Sequence, residues 1–319
     1  MIRDATPADT HAIAGLIRGL AEYERLAHEV VLDEAALRAH LFGERRYAEV
    51  VLAEDDGTVV GFALFFHNYS TLLRKPGIYL EDLFVLSEHR AAGHGKALLA
   101  RLAQIAVERG CGRLEWSVLD WNEPSIAFYR ALGAVGLDDR TIYRLAGDAL
   151  TMLSLAQRSP LAIREAASSD AQAIGELLRG LAEHLDGPAS EFEPDEAALR
   201  AHVVGRGRYA ESVVAVDGGA VVGVALFYHN YSTFLGKPGL YLEDLFVLPD
   251  HRGAGQGKAL LARLAQIAVE RGCGRLEWRV VDRNEPSIAF YRALGAVAMD
   301  EWTVYRLAGD ALRALADRG

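Results

Sequence analysis

Cysteine is nearly absent: the 319 residues hold two, Cys111 and Cys273. Both sit at the same place in two copies of "ERGCGRLEW", which makes them poor partners for one another and predicts reduced thiols in a cytoplasmic setting. Basic runs are absent too, and the formal net charge is −10. That excludes nucleic acid as an expected partner, because such binding draws on clustered Lys and Arg. No uninterrupted apolar run approaches the ~18 residues of a membrane span. The opening "MIRDATPADT" is charged by its third residue, so no secretory signal is expected. What remains is the composition of a soluble globular protein, 51% hydrophobic and 24% charged. Its acidic balance suits a cationic small molecule, although most of that charge is solvated surface.

The chain is written twice. Residues 79–116 and 241–278 differ only at Ser87/Pro249, Glu88/Asp250, Ala91/Gly253 and His94/Gln256. The likeness runs outward to "IRDATPADTHAIAGLIRGLAE" against "IREAASSDAQAIGELLRGLAE", and to "FYRALGA" in both copies. A period this long marks a duplicated domain rather than a solenoid. The boundary is expected near "LAQRSPLAI", residues 155–163, giving domains 1–158 and 161–319. One residue is gained in the second copy ahead of Asp195. Each copy reads as mixed α/β: a short strand, a helix over 12–24, a second ending at Gly43, and two strands around Asp56-Gly57. The strand "GIYLEDLFVL" follows, then a helix, the strand "RLEWSVLD", a helix over 122–133, and a last strand "TIYRLAG".

"EHRAAGHGKALLARL" and "DHRGAGQGKALLARL" place glycines just before an apolar-periodic helix. Backbone N–H groups at such a helix start suit an anion, phosphate above all, and a β-carbon there would block the turn or the ligand. Arg90 and Arg252 add a charge for a pyrophosphate, or cap a carboxylate in a turn that binds nothing. A Walker loop fails because Ala97 and Ala259 replace Ser or Thr, and a dinucleotide fingerprint fails at Leu98 and Leu260.

These loops resemble the acyl-CoA pyrophosphate loop of the GNAT superfamily of N-acetyltransferases. With "YLEDLFVL" and "WNEPSIAFYRALGA", each half resembles the diamine (spermidine/spermine) and thialysine acetyltransferase branch. The resemblance implies an α/β (α+β) fold: two tandem acyl-CoA N-acyltransferase domains, each a mixed, mostly antiparallel twisted sheet flanked by helices. It implies acetyl-CoA as co-substrate, no metal, and a small-molecule amine as acceptor; the alternatives are a protein lysine or N-terminal amine as acceptor, or an acyl-CoA-binding sensor without turnover. The coenzyme would be held by Phe84, Val85, Arg90, Ala91, Gly93, His94, Gly95, Lys96 and Asn122. In the second copy the same role falls to Phe246, Val247, Arg252, Gly253, Gly255, Gln256, Gly257, Lys258 and Asn284.

Acetyl transfer needs a pyrophosphate anchor, a proton acceptor for the amine, donors for the developing oxyanion and an acid for the thiolate. An alkylammonium with pKa near ~10.4 is almost wholly protonated at pH 7, so deprotonation costs about 4–5 kcal/mol without help. By resemblance Tyr129 and Tyr291 are the acids, and Glu81 and Glu243 bind the ammonium and accept its proton. Asp82 and Asp244 would attract a remote charge, and backbone N–H groups near Phe84-Val85 and Phe246-Val247 would meet the oxyanion. Read as residues alone, the tyrosines fit an amphipathic helix face and the glutamates a buried ion pair with arginine. Adjacent strand residues face opposite ways, so Glu81 and Asp82 share a cleft only across a bulge. Asn122 and Asn284 read as helix N-caps, and His67 and His229 more as structural donors than as bases. "YST" at 69–71 and 231–233 is closer to the thialysine branch, which suits a compact diamine or lysine-like amine. Relatives work as homodimers, so the two halves are expected to pair about a pseudo-two-fold axis, with further homodimerisation open.

Overall fold

The computed structural model describes residues 1–156, 162–185, 193–204 and 209–318. The expected boundary at Ser159-Pro160 and the extra residue ahead of Asp195 thus fall at or beside positions outside the described residues. The first half runs β1 (Ile2–Asp4), α1 (Thr10–Tyr23), α2 (Glu34–Phe42), β2 (Glu49–Asp55), β3 (Thr58–Ser70), β4 (Lys75–Val85), α3 (His94–Glu108), β5 (Arg113–Leu119), α4 (Glu123–Ala131), β6 (Val135–Leu137), β7 (Arg140–Ala146) and α5 (Gly147–Ser154). The second repeats it as β8 (Ala162–Glu165), α6 (Ala171–His184), α7 (Glu196–His202), β9 (Glu211–Asp217), β10 (Ala220–Ser232), β11 (Lys237–Val247), α8 (Gln256–Glu270), β12 (Arg275–Val281), α9 (Glu285–Ala293), β13 (Val297–Met299), β14 (Trp302–Ala308) and α10 (Gly309–Ala316).

Local sequence accounts for most of these elements. In α1, Ile13, Leu16, Ile17 and Leu20 recur at helical spacing and are buried. The Asp33 side chain accepts the Ala36 N–H at the start of α2, and Asp195 does the same for α7. Asp56 and Gly57, both at positive φ, turn β2 into β3.

Each sheet has seven strands, and every pairing is antiparallel except β4 with β5 and β11 with β12. Neither sheet is made by one half. The order β1-β2-β3-β4-β5-β14-β6 takes its sixth strand from the far end of the chain, and β13-β7-β12-β11-β10-β9-β8 takes β7 from the first half. The helix after each exchanged strand follows it, α10 packing on α3 and α5 on α8. β3 and β10 also face one another, so a single core joins Phe62, Leu64, Phe66 and Tyr69 to Leu226, Tyr228 and Tyr231. The pseudo-two-fold packing expected of the repeat is thus an interlock.

Candidate active site

β4 and β5 pair only at Ile78–Leu114, Tyr79–Glu115 and Leu80–Trp116. Beyond Leu80 the two parallel strands part, which leaves the β5-facing edge of β4 unpaired from Glu81 to Val85 and opens a slot in the sheet. A matching slot follows Leu242–Trp278 in the second half. A bulge sits at its rim: Leu64 pairs with Asp82 but Phe65 with Leu80, so Glu81 is the extra residue. Glu243 is extra in the same way. The bulge answers the alternation problem, and both Glu81 and Asp82 line one cavity of about 860 Å³.

The glycine turn forms the outer end of that cavity. Gly93, at φ 90°, caps α3 and opens its first turn of N–H groups; Gly255, at φ 93°, does the same for α8. Arg90 donates through Nε to the Val85 carbonyl at 3.0 Å and lies 4.5 Å over the Tyr23 ring. Arg252 donates to Val247 at 2.9 Å. Each arginine therefore braces the loop against the strand. Gly93, His94, Gly95, Lys96, Phe84 and Val85 all line the cavity. The His94 ring also turns back to Asp55 (3.8 Å), which His89 meets at 3.0 Å. Among the described residues this is the one trio close enough to share a metal ion, and Gln256 breaks it in the second half. Asn122 Oδ1 accepts from the Ser125 N–H and from the Tyr23 hydroxyl, and Asn284 accepts from Ser287, so both cap their helices as read.

The tyrosines lie deep. Tyr129 packs 4.8 Å from Trp116 and Tyr291 4.7 Å from Trp278, centroid to centroid. Burial, helped in Tyr129 by the charge of Glu24, holds both phenols well above their ordinary range and so protonated.

The end of the cavity around Glu81 is built from both halves. Glu81 meets Arg275 at 3.0 Å, Arg275 meets Glu277 at 2.7 Å, and Arg144 on the exchanged β7 meets Glu277 at 2.7 Å. Asn230 donates to Glu277 at 2.6 Å, and Thr233 lines the same cavity as Asp82, whose carboxyl it helps to lower. Thr233 therefore acts in the first cavity although its sequence belongs to the second copy. The mirror set joins Glu243 to Arg113 (3.2 Å), Arg113 to Glu115 (2.8 Å) and Arg306 to Glu115 (2.7 Å). Burial raises the Glu81 and Asp82 carboxyls, while Arg275 opposes the rise at Glu81. Asp244 is pushed up to about 7 by burial and the Glu243 charge.

The sequence reading missed Glu24. It follows α1, lines the cavity, and is pushed up to about 7 by burial and the Glu81 charge. The difference between copies carried a signal, since Tyr23-Glu24 becomes His184-Leu185. Also missed were Arg275 and Glu277, which enter from the opposite half, and Arg144, which sits on the exchanged strand β7. His67 and His229 stay outside the cavity, bonded to Arg109 and Arg271. Burial lowers them to about 4 and about 3. Both cysteines are buried, with thiols pushed up to about 11.

A sheet parted beside a glycine-capped helix is the framework of an N-acetyltransferase, and the chain is an enzyme of that class. It belongs to the acetyltransferase (GNAT) family, whose model matches residues 17–134 and again 176–296. It is 38% identical over 165 residues to a thialysine N-epsilon-acetyltransferase of Bos taurus, a match covering 48% of this chain and 96% of that protein. It is 35% identical over 194 residues to L-ornithine N5-acetyltransferase NATA1 of Arabidopsis thaliana, covering 47% and 85%. A solved tandem GNAT protein from the clavulanic acid biosynthesis pathway aligns over 97% of this chain and 98% of its own, with TM-score 0.50 and 18% identity, a likeness of fold. Among the described residues no helix is long and apolar enough to cross a membrane.

Proposed function

We propose that the chain moves an acetyl group from acetyl-CoA to a primary amine of a small molecule, of the diamine or lysine/thialysine-like class, by direct attack in a ternary complex. Each sequence half, 1–158 and 161–319, would carry one site. The observation that carries this reading is convergence: Glu24, Glu81, Asp82 and Tyr129 line one cavity whose outer end is the glycine turn. The slot fits the coenzyme, because an unpaired strand edge offers N–H groups along a narrow arm and the α3 start suits a diphosphate. Acetyl-CoA would supply a thioester, the activated acyl group.

The protein's own residues would do the rest. Phe84 and Val85 lie on the open edge, where a backbone N–H would face the carbonyl oxygen. Glu81 is engaged by Arg275, so it would orient the ammonium, while Glu24, titrating near 7, would take its proton directly or through water. Tyr129 would keep its proton until a thiolate needs it. Walls from the opposite half make the acceptor end a pocket rather than an open groove, which favours a small molecule over a protein lysine. The test is an amine panel with acetyl-CoA, following free thiol. The Tyr129→Phe, Tyr291→Phe double variant should lose roughly 10²-fold or more in rate; undiminished turnover would refute the assignment.

A further inference from the structure

Two positions of different charge set the acceptor ends apart. Ser117 lines the first cavity and bonds Tyr79 at 2.5 Å. Its counterpart is Arg279, whose Nε donates to Tyr241 at 2.8 Å and whose terminal nitrogens lie 3.5 Å from Glu115. Across the site, Glu24 of the first half is replaced by Leu185 in the second. One guanidinium is gained and one carboxylate lost.

Charge pairing sharpens the contrast. In the first acceptor end two guanidiniums, Arg144 and Arg275, face two carboxylates, Glu277 and Glu81, with Glu24 and Asp82 in addition. In the second, three guanidiniums, Arg113, Arg279 and Arg306, share Glu115 and Glu243, with Asp244 in addition. Glu115 is already held by Arg306 at 2.7 Å and Arg113 at 2.8 Å, so Arg279 stands at the edge of that pairing with a side chain only 12% exposed. A buried guanidinium that only shares a carboxylate, at 3.5 Å, is incompletely compensated, and an incoming anion relieves the cost.

We infer that the second acceptor site is built for an amine that also carries a carboxylate, which Arg279 would receive, while the first takes an amine carrying a further ammonium. This rests on the acetyl-transfer reading and divides it between the halves. Ser117 and Arg279 become the specificity-determining pair.

Lysine and 1,5-diaminopentane test it, because they differ only by the carboxylate. Tyr129→Phe leaves the second site to work and Tyr291→Phe leaves the first. The lysine-to-diaminopentane ratio of kcat/KM should be at least tenfold higher in the former. Adding Arg279→Ser to Tyr129→Phe should bring the ratio down tenfold, and adding Ser117→Arg to Tyr291→Phe should raise it. Ratios that agree within twofold, or that ignore position 279, overturn the inference, as does a second site silent toward both amines. Calorimetry on the double tyrosine variant with CoA bound separates the two readings. Lysine binding weakened at least fivefold by Arg279→Ser, beside a parent chain that acetylates neither amine, would sink acetyl transfer and keep the Arg279 site. Unweakened binding would sink the site whatever the turnover.

Discussion

Glu115 and Glu277 occupy matching places in the two halves and keep different company. Glu277 is shared by Arg275, Arg144 and Asn230; Glu115 by Arg113, Arg306 and Asn68, with Arg279 approaching as a third guanidinium. The outer end of the sites has hardly changed: four differences separate 79–116 from 241–278, and two of them lie in the turn itself. The contrast shows what fusion permits. In a symmetric homodimer any substitution enters both sites at once, whereas one covalent chain can alter a single acceptor end and keep the other. The interlock preserves the pairing while this happens, because each half still needs a strand from its sibling.

Cutting the chain breaks the comparison most severely. Residues 1–156 alone have no β14 to place between β5 and β6, so the fragment should associate into a dimer by exchanging β7. Sedimentation would show a dimer; a well-folded monomer would mean the exchange is dispensable. Next in size is the proton acceptor. Glu24→Gln should cost the first site about 10²-fold in kcat/KM for diamines and abolish a rate limb near pH 7. The sign follows from burial: the raised carboxyl is protonated and idle below about 7, and accepts a proton only above it. Leu185→Glu in the second half should raise diamine turnover there. A persistent limb in Glu24→Gln, measured with Tyr291→Phe to silence the other site, would move the base elsewhere.

The third comparison concerns stability. Glu115→Gln removes a carboxylate shared by three guanidiniums and should cost about 3–5 kcal/mol in urea denaturation, more than Glu277→Gln, which removes one shared by two. The Glu115 carboxyl is held down to about 2, where Arg279, Arg113 and Arg306 outweigh its burial. A depressed carboxylate contributes stability above its ordinary pKa of 4.5 and loses it as pH falls toward about 2. The gap between parent and Glu115→Gln should therefore close across that interval. Equal costs for the two variants would show that Arg279 adds nothing to the cluster.

Much of this was legible in the sequence because it is local. The glycines before α3 announce a helix start, Asn122 announces its cap, and "YLED" announces two carboxylates in an apolar strand. The bulge at Glu81 was readable only as a condition, since alternation forbade both acids from one cleft without it. What stayed hidden is non-local. Arg140–Ala146 reads as a strand in either arrangement, and nothing in "TIYRLAG" says that it joins β12 rather than β5. The partners of Glu81 and Glu115 depend on that choice, so the arginine clusters could not be foreseen. The short strands β6 and β13, three residues each, and the closing helices α5 and α10 also went unread, being stabilised by docking onto the other half. Glu24 was in plain view, but its meaning needed the cavity.

The smallest predicted effect tests how equal the outer ends remain. Ala91 has φ 64° and its counterpart Gly253 has φ 83°, both in the left-handed region. A side chain there costs roughly 1 kcal/mol in the backbone alone. A Cβ built on Gly253 meets no neighbour within 4 Å, so the methyl at the matching place gains little packing in return. Ala91→Gly should therefore relax the first turn. Part of the relief is offset because glycine loosens the unfolded chain, leaving about 0.5 kcal/mol. In urea denaturation Ala91→Gly should stabilise the chain by that amount, and Gly253→Ala should destabilise it by a similar one. If neither substitution shifts stability, the turn is not strained, and the two outer ends are equal despite the alanine.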